Sequence, residues 1–461
     1  MRERMKNLLT VGVLIGIAIL SLSVSWNVSS AYFPESPSPG REDWPMFGGI
    51  PSRNMVSPMK GLPTDWDTSA GKNVKWITDL GSLSYGSPVV ADGMIFVGTN
   101  NENPRDPERV GDLGVLMAFR ESDGEFLWQA VSEKLPSGMV NDWPEQGICS
   151  TPAVEGERLY YVTSRCEVVC LDTKGFTDGE NDGPFKGEEQ SGLKDADIVW
   201  VFDMMKEVNV FPHNMTSSAP VIYKNLVITG TSNGRDEEDN LPSPDAPSIV
   251  ALDKNSGQLI WSDNSVGENL LHGQWSSPAV GEIAGVTQVI MGQGDGWVRS
   301  YEALSGEKLW EFDTNPKEAV WPKDRNNVIS TPTVVDNRVY IANGRDPEHG
   351  EGVGHFYSID GSKRGDITES GLIWHYGDIR RSISTAVIHN GLVYIPDHSG
   401  FFHCLDVQTG EVQWVHDTFA AVWGSPIVIG EHIYLGDEDG DVVVLKTGRK
   451  EEVVSEVMMD G

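Results

Sequence analysis

One phrase recurs along this chain and limits what it can become. Phe402–Trp414 reads FHCLDVQTGEVQW: an apolar strand, a turn at Thr409-Gly410, and a second strand closing on tryptophan. Ala118–Trp128 (AFRESDGEFLW), Ala251–Trp261 (ALDKNSGQLIW) and Ser300–Trp310 (SYEALSGEKLW) repeat it. In each copy a small residue stands ten positions before the tryptophan, with glycine six positions after the small residue. Two further copies, Cys170…Trp200 and Ser358…Trp374, have their turns opened by insertions, and Val444…Val454 is a degenerate one. A period of roughly 40–60 residues built from several short strands and a fixed Trp predicts an all-β chain folded as a β-propeller.

The rest of each repeat follows one grammar. An inner strand opens at Ser87-Pro88, Thr151-Pro152, Ala219-Pro220, Ser277-Pro278, Thr331-Pro332, Thr385-Ala386 or Ser425-Pro426. Proline is tolerable there because the first residue of a strand loses no ladder donor. Short turns such as Asp92-Gly93 and Asn390-Gly391 carry the residues that two-residue hairpins favour. Seven inner strands are then matched by outer strands ending at Trp128, Trp200, Trp261, Trp310, Trp374, Trp414 and Val454. The strand Asn73–Leu80, with Trp76, is left over. The simplest account is an eight-bladed propeller of four-stranded antiparallel blades, with Asn73–Leu80 as the outer strand of an eighth blade. Its three inner strands would follow Gly461, so the chain is expected to be truncated and that blade incomplete. A seven-bladed ring with Trp76 on an accessory strand is the alternative.

Residues 1–31 have the form of a signal peptide. Arg2, Arg4 and Lys6 precede the apolar run Leu8–Val24, and Ser29-Ser30-Ala31 offers small residues for cleavage. The run is also long enough to stay as an uncleaved membrane anchor. No cysteine follows it, which excludes a lipid-anchored form. Residues 32–42 read as a Pro/Ser linker, and 43–461 as the propeller. Export to the periplasm, the cell surface or the medium is the expectation. A net charge of −33 argues against nucleic acid and anionic membrane surfaces as partners, leaving a membrane contact only through the N-terminus of a monomer.

Four cysteines in an exported chain invite a disulfide framework, but the spacing does not support one. Cys166 and Cys170, placed on one strand, would lie roughly 13 Å apart at strand rise, too far to bond. Cys170 and Cys404 fill the repeat position held elsewhere by Ala118, Ala251, Ser300 and Ser358, so they read as small buried residues where blades crowd the axis.

The pattern Ala251-Leu252-Asp253…Gly257…Trp261 resembles the tryptophan-docking motif of quinoprotein-type propellers, and Cys404-Leu405-Asp406…Gly410…Trp414 matches it with cysteine in the first place. The resemblance, to the PQQ-binding-like β-propeller repeat proteins, covers nearly all of the mature chain. It implies that Trp76, Trp128, Trp200, Trp261, Trp310, Trp374 and Trp414 stack on neighbouring blades. The family holds PQQ- and Ca²⁺-dependent alcohol or sugar dehydrogenases as well as non-catalytic, BamB-like members, and fold does not choose between them. The enzymes carry an adjacent Cys-Cys pair over the quinone, which this sequence lacks. A non-catalytic binding or scaffolding module is therefore expected, with no cofactor; a PQQ/Ca²⁺-dependent oxidoreductase is the alternative.

Loops preceding the inner strands should converge at one mouth of the central channel, where ligands and partners would bind. They supply Glu145, Gln146, His213, Asn214, His272, Gln274, Trp275, Arg381 and Trp423. These groups could meet other cell-envelope proteins or a small ligand, and imidazole and carboxylate are competent metal ligands; a wet, self-satisfied channel lining is the plainer reading. The cluster Asp346–Gly352 with His355 is assigned to the opposite rim. Asp178, Glu180 and Asp182, in an acidic insertion, are the best Ca²⁺ candidates. Asp437–Asp441 reads as a hairpin turn, since it lacks the bidentate Glu of an EF-hand loop. No motif supplies a nucleophile with its base.

Overall fold

The computed structural model describes residues 43–345, 349 and 352–459. The signal-like segment and the linker lie outside them. Among the described residues, no helix is long and apolar enough to cross a membrane.

The fold is a β-propeller. Among the described residues, seven antiparallel meanders follow one another. The first comprises Val89–Ala91, Met94–Asn100, Leu113–Arg120 and Phe126–Glu133. The seventh comprises Ile427–Ile429, His432–Gly436, Asp441–Lys446 and Val453–Met458. In every sheet the ladder slips by one residue at the same place, between the third and fourth strands. Just before the slip, the small residue of the repeat pairs directly with the tryptophan: Ala118 with Trp128, Cys170 with Trp200, Cys404 with Trp414. A bulge there turns the indole toward the neighbouring sheet, and a larger residue opposite it would have no space. This corrects the sequence reading of Cys170 and Cys404. They are buried between sheets, opposite a tryptophan on the third strand, not at the axis. Cys166 precedes its strand, in a turn with φ 62. All four thiols are free and buried.

The indoles then join sheet to sheet. Trp128, Trp200, Trp261, Trp374 and Trp414 each donate Nε1–H to a carbonyl in the 3–4 turn of the following sheet, at 2.9–3.1 Å. That turn needs glycine. At Gly257, φ is 71° and an added Cβ would lie 2.6 Å from the Trp200 ring, so both backbone and space forbid a side chain. Trp310 works through a relay: it donates to Gln288 Oε1 (2.8 Å), whose Nε2 reaches Gly361 O. The relay coincides with the opened turn of the fifth sheet, where Gly365–Asp366 returns to add a parallel strand to the fourth. The insertion in the second sheet clasps the first similarly, through the Gln129–Asp195 bridge.

At the inner strands, the Ser/Thr of the repeat explains itself. Thr151 Oγ1 accepts from Ser87 N, Ser277 Oγ from Ala219 N, and Ser425 Oγ from Thr385 N, each at 2.9 Å. The hydroxyl satisfies a backbone donor that no ladder reaches.

No repeat or motif announces what fills the axis. Trp44–Ser57 touches the innermost strand of all seven sheets. Trp44 pairs with Val90, and Val154 N donates to Pro45 O. Val280, Val334 and Val428 donate to the carbonyls of Pro51, Ser52 and Met55 (2.8, 3.0 and 2.9 Å). The Asn54 side chain both donates to and accepts from Ile388. Arg53, fully buried, reaches the third and fourth sheets by donating to the carbonyls of Ala219, Pro220 and Pro278. Innermost strands otherwise present unpaired edges; this segment satisfies them.

Asn73–Leu80 is not a ladder strand, contrary to the expectation. Burial alternates along it, with Val74, Trp76, Thr78 and Leu80 the inward residues, yet it pairs with no strand. Trp76 nonetheless donates to Glu121 O (2.9 Å) and covers Gly124 of the first sheet, as the other tryptophans cover the sheets that follow them.

Candidate functional site at the channel mouth

The loop entering each inner strand places one side chain two residues ahead of the Ser/Thr-Pro step. These residues are Tyr85, Cys149, Ser217, Trp275, Ile329, Ile383 and Trp423. Because the inner strands surround one axial segment, this column forms a ring about the mouth. Around it the candidate residues gather into two groups.

In the first, His213 and His272 face each other Nε2 to Nε2 at 3.0 Å, and the Trp275 indole donates to His213 O (3.2 Å). His213 Nδ1 lies against Arg235 O and so carries a proton; in the neutral ring Nε2 is then the acceptor, and His272 the donor. Gln274 Nε2 donates to Asn233 O. His349 stacks edge-on to His272 at 5.1 Å, and Arg381 Nη1 donates to His349 O (2.6 Å). Val353 also bridges to Arg380. His349 and Gly352–Val353 therefore stand on the same rim as His272, not the opposite one to which the cluster was assigned; its residues 346–348, 350 and 351 lie outside the described residues. The reason is strand direction: 2–3 loops and 4–1 loops leave a four-stranded meander at one end. A cavity of about 330 Å³ opens here, lined by Asp239, Leu271, His272, Lys323, Arg345 and His349 among others.

In the second group, Trp423 stays 42% exposed and Tyr85 47% exposed, with ring centroids 6.4 Å apart. His398 packs edge-on to Trp423 at 4.9 Å, and the indole donates to Glu438. Glu145 and Gln146 approach from the loop ahead of the second sheet: Glu145 N donates to Asp112, and Gln146 lies beside the Tyr85 hydroxyl. Asn214 O accepts from Trp143 N, tying the two loops.

A family model described as outer membrane protein assembly factor BamB matches residues 26–175, 213–347 and 357–453. The chain belongs to that family. A BamB of Legionella pneumophila (strain Paris) is 21% identical over 225 residues, 49% of either protein. A BamB of Yersinia pestis is 24% identical over 258 residues, 49% of this chain and 60% of that one. The chain's matches thus span about half to three-fifths of these relatives' lengths. The crystal structure of BamB from Moraxella catarrhalis superposes with a TM-score of 0.51 at 16% identity, covering 80% of this chain and 84% of that one, a likeness of fold.

Within this BamB-family propeller, Tyr85 and His398 are mouth residues that sequence reasoning missed, and His349 is one that it assigned to the opposite rim. Tyr85 was findable, since it heads the same repeat column as Trp275 and Trp423. The mouth also holds a buried carboxyl group. Asp142 is nearly inaccessible, its Oδ2 has no hydrogen-bond partner among the described residues, and Lys134 Nζ lies 3.6 Å away. Burial pushes its carboxyl up to about 8, with Lys134 opposing and Asp112 adding to the shift.

The Ca²⁺ candidates do not converge. Asp182 is committed to Arg158 (2.6 Å), and Asp178 accepts from Glu180 N. Among the described residues, no group of three or more His, Cys, Asp or Glu side chains is placed to hold a metal. Asp437 Oδ1 accepts from Asp439 N and Asp441 N, the bonding of an ordinary hairpin turn.

Proposed function

We propose that this chain is an exported, non-catalytic propeller that holds other cell-envelope proteins at the channel mouth. One observation carries the reading. Two exposed aromatic rings, Tyr85 and Trp423, stand beside a His–Trp–Arg cluster at one end of a channel whose axis is filled by Trp44–Ser57. Solvent-exposed Trp and Tyr beside Arg are the composition of interface anchors, and a filled axis favours a docking face over a passage. Family membership supports the same reading, since the relatives are named as assembly factors. The sequence supports export through Leu8–Val24 and its basic flank.

The test uses a photo-crosslinking amino acid at Trp423 in the full chain, expressed in its native envelope. A control probe replaces Gln413 on an outer strand. Discrete adducts at Trp423 that are absent at Gln413 are expected. Identical patterns at the two sites would remove the mouth from the argument. Calorimetric titration with PQQ, with and without Ca²⁺, addresses the enzymatic alternative: saturable binding at one site would replace this reading.

A further inference from the structure

We infer that His213 and His272 are the two protein ligands of a site for a divalent transition cation, of the Zn²⁺, Ni²⁺ or Cu²⁺ class, on the rim of the mouth. The inference stands apart from the docking of a partner there, and it needs no third side chain. Its first support is spacing. The two Nε2 atoms are 3.0 Å apart. Two nitrogens bound to one ion at about 2.0–2.1 Å lie about 2.9 Å apart at a right angle and about 3.3 Å apart at the tetrahedral angle. The rings also do not meet head-on. A straight N–H···N bond would set each centroid a ring radius behind its nitrogen, yet the centroids are 4.1 Å apart and the planes cross at 64°. The nitrogens thus meet at an angle, as two ligands of one ion do.

The second support is how the chain holds the pair. One short segment, residues 232–235, grips both loops: His213 N donates to Ser232 O and Arg235 N to His272 O, each at 3.1 Å. Arg235 O also accepts from His213 Nδ1, which leaves the lone pair on Nε2. This is the outer hydrogen bond that fixes the tautomer of a metal-binding histidine. Gly234 lies between the loops, where a Cβ would meet His213 Cβ at 2.3 Å and His272 O at 3.1 Å. Trp275 packs on both rings, with centroids 5.9 Å from each. An arriving ion displaces the proton that His272 shares with His213, and the neutral His272 ring keeps it on Nδ1.

The third support is the cavity beside the pair. His272 lines the space of about 330 Å³, which gives the ion a way in and leaves room for water at its remaining positions. Asn327 lines the same space, and its Oδ1 is buried with no hydrogen-bond partner among the described residues; an ion-bound water would donate to it. Asp239 adds a carboxylate to the lining, whereas Lys323 and Arg345 oppose a cation and weaken its binding. Two imidazoles select against Ca²⁺ and Mg²⁺, which take oxygen ligands. The same nitrogen spacing recurs between His355 Nδ1 and His375 Nε2, 3.0 Å apart on the third and fourth strands of the fifth sheet. That pair serves as the control.

The test is calorimetric titration of Zn²⁺ into the untagged full chain, stripped of metal by a chelator. Saturable binding of one ion per chain is expected. His213→Gln and His272→Gln should each weaken it at least about tenfold, and Gly234→Ala, which keeps both ligands but parts their loops, by about 10–100-fold. His375→Gln should bind as the wild type does. Cu²⁺ on the wild-type chain should show coupling to two imidazole nitrogens in its electron paramagnetic resonance spectrum. No saturable binding would overturn the proposal, as would affinity unchanged in both His213→Gln and His272→Gln. A loss confined to His375→Gln would move the ion to the fifth sheet and sink it equally. If the histidine variants fail to fold, the copper spectrum decides, and fewer than two coupled nitrogens would end the proposal.

Discussion

The axis and the mouth are built from the same kinds of polar group and treat them in opposite ways. Along Trp44–Ser57, each carbonyl or side chain that meets an inner strand finds a partner within 2.8–3.1 Å. At the mouth, Asp142 Oδ2, Asn214 Oδ1, Asn327 Oδ1 and His398 Nδ1 are buried with no hydrogen-bond partner among the described residues. A buried polar atom left unpaired costs about 1–3 kcal/mol, and folding could have removed that cost at the mouth as it did at the axis. The difference teaches that the axial segment is tuned for stability, whereas the mouth keeps bonding capacity in reserve for water or for a partner.

The largest test of this contrast is Arg53→Ala. Burial pulls the guanidinium down to about 9, still cationic at neutral pH, and among the described residues its hydrogen bonds all go to carbonyls. Removing it orphans the carbonyls of Pro278, Ala219 and Pro220 together, so a loss of roughly 3–9 kcal/mol is expected, at 1–3 kcal/mol for each group. Denaturant unfolding measures it. A loss below about 1 kcal/mol would mean that the axial segment decorates the ring and does not hold it.

None of this was legible beforehand, and the reason is physical. The repeat could be read because each blade solves its packing locally: a small residue faces its own sheet's tryptophan, and the indole meets a glycine turn. Trp44–Ser57 has no repeat, because its carbonyls are matched to seven strands that come together only in the closed ring. Arg53 therefore looked like any loop arginine. Asn73–Leu80 shows the converse error. Its alternation gave the extended conformation correctly, but pairing needs a neighbour, which no local pattern supplies. At the mouth, Trp275 and Trp423 were found because they share a repeat column, while His349 was misplaced by taking a 2–3 loop to the wrong rim.

Asp142 gives a smaller and sharper test, from the mouth side. Its folded carboxyl titrates near 8, above the ordinary 3.8, chiefly because it is buried. Folding therefore binds a proton. The stability this contributes is complete below the unfolded value and drains away as pH rises toward about 8. Asp142→Asn keeps a neutral side chain at every pH. The melting temperature of the variant minus that of the wild type should climb between pH 4 and 8, then level off. A difference that does not change with pH would mean that Lys134 keeps the carboxylate ionised, and the mouth would then hold a paired charge like those in the rest of the molecule.

The smallest expected effect on stability is Trp423→Ala, and it separates the two regions most cleanly. The docking tryptophans are buried between sheets, and truncating one such as Trp200 should cost roughly 3–5 kcal/mol. Trp423 carries the same side chain at a position 42% exposed, touching Tyr85 and His398 at their ring edges. If its surface serves recognition, the variant should unfold within about 0.5 kcal/mol of the wild type while losing whatever the mouth holds. A loss approaching that of Trp200→Ala would show that the ring packs as core, and the mouth would then be tuned for stability just as the axis is.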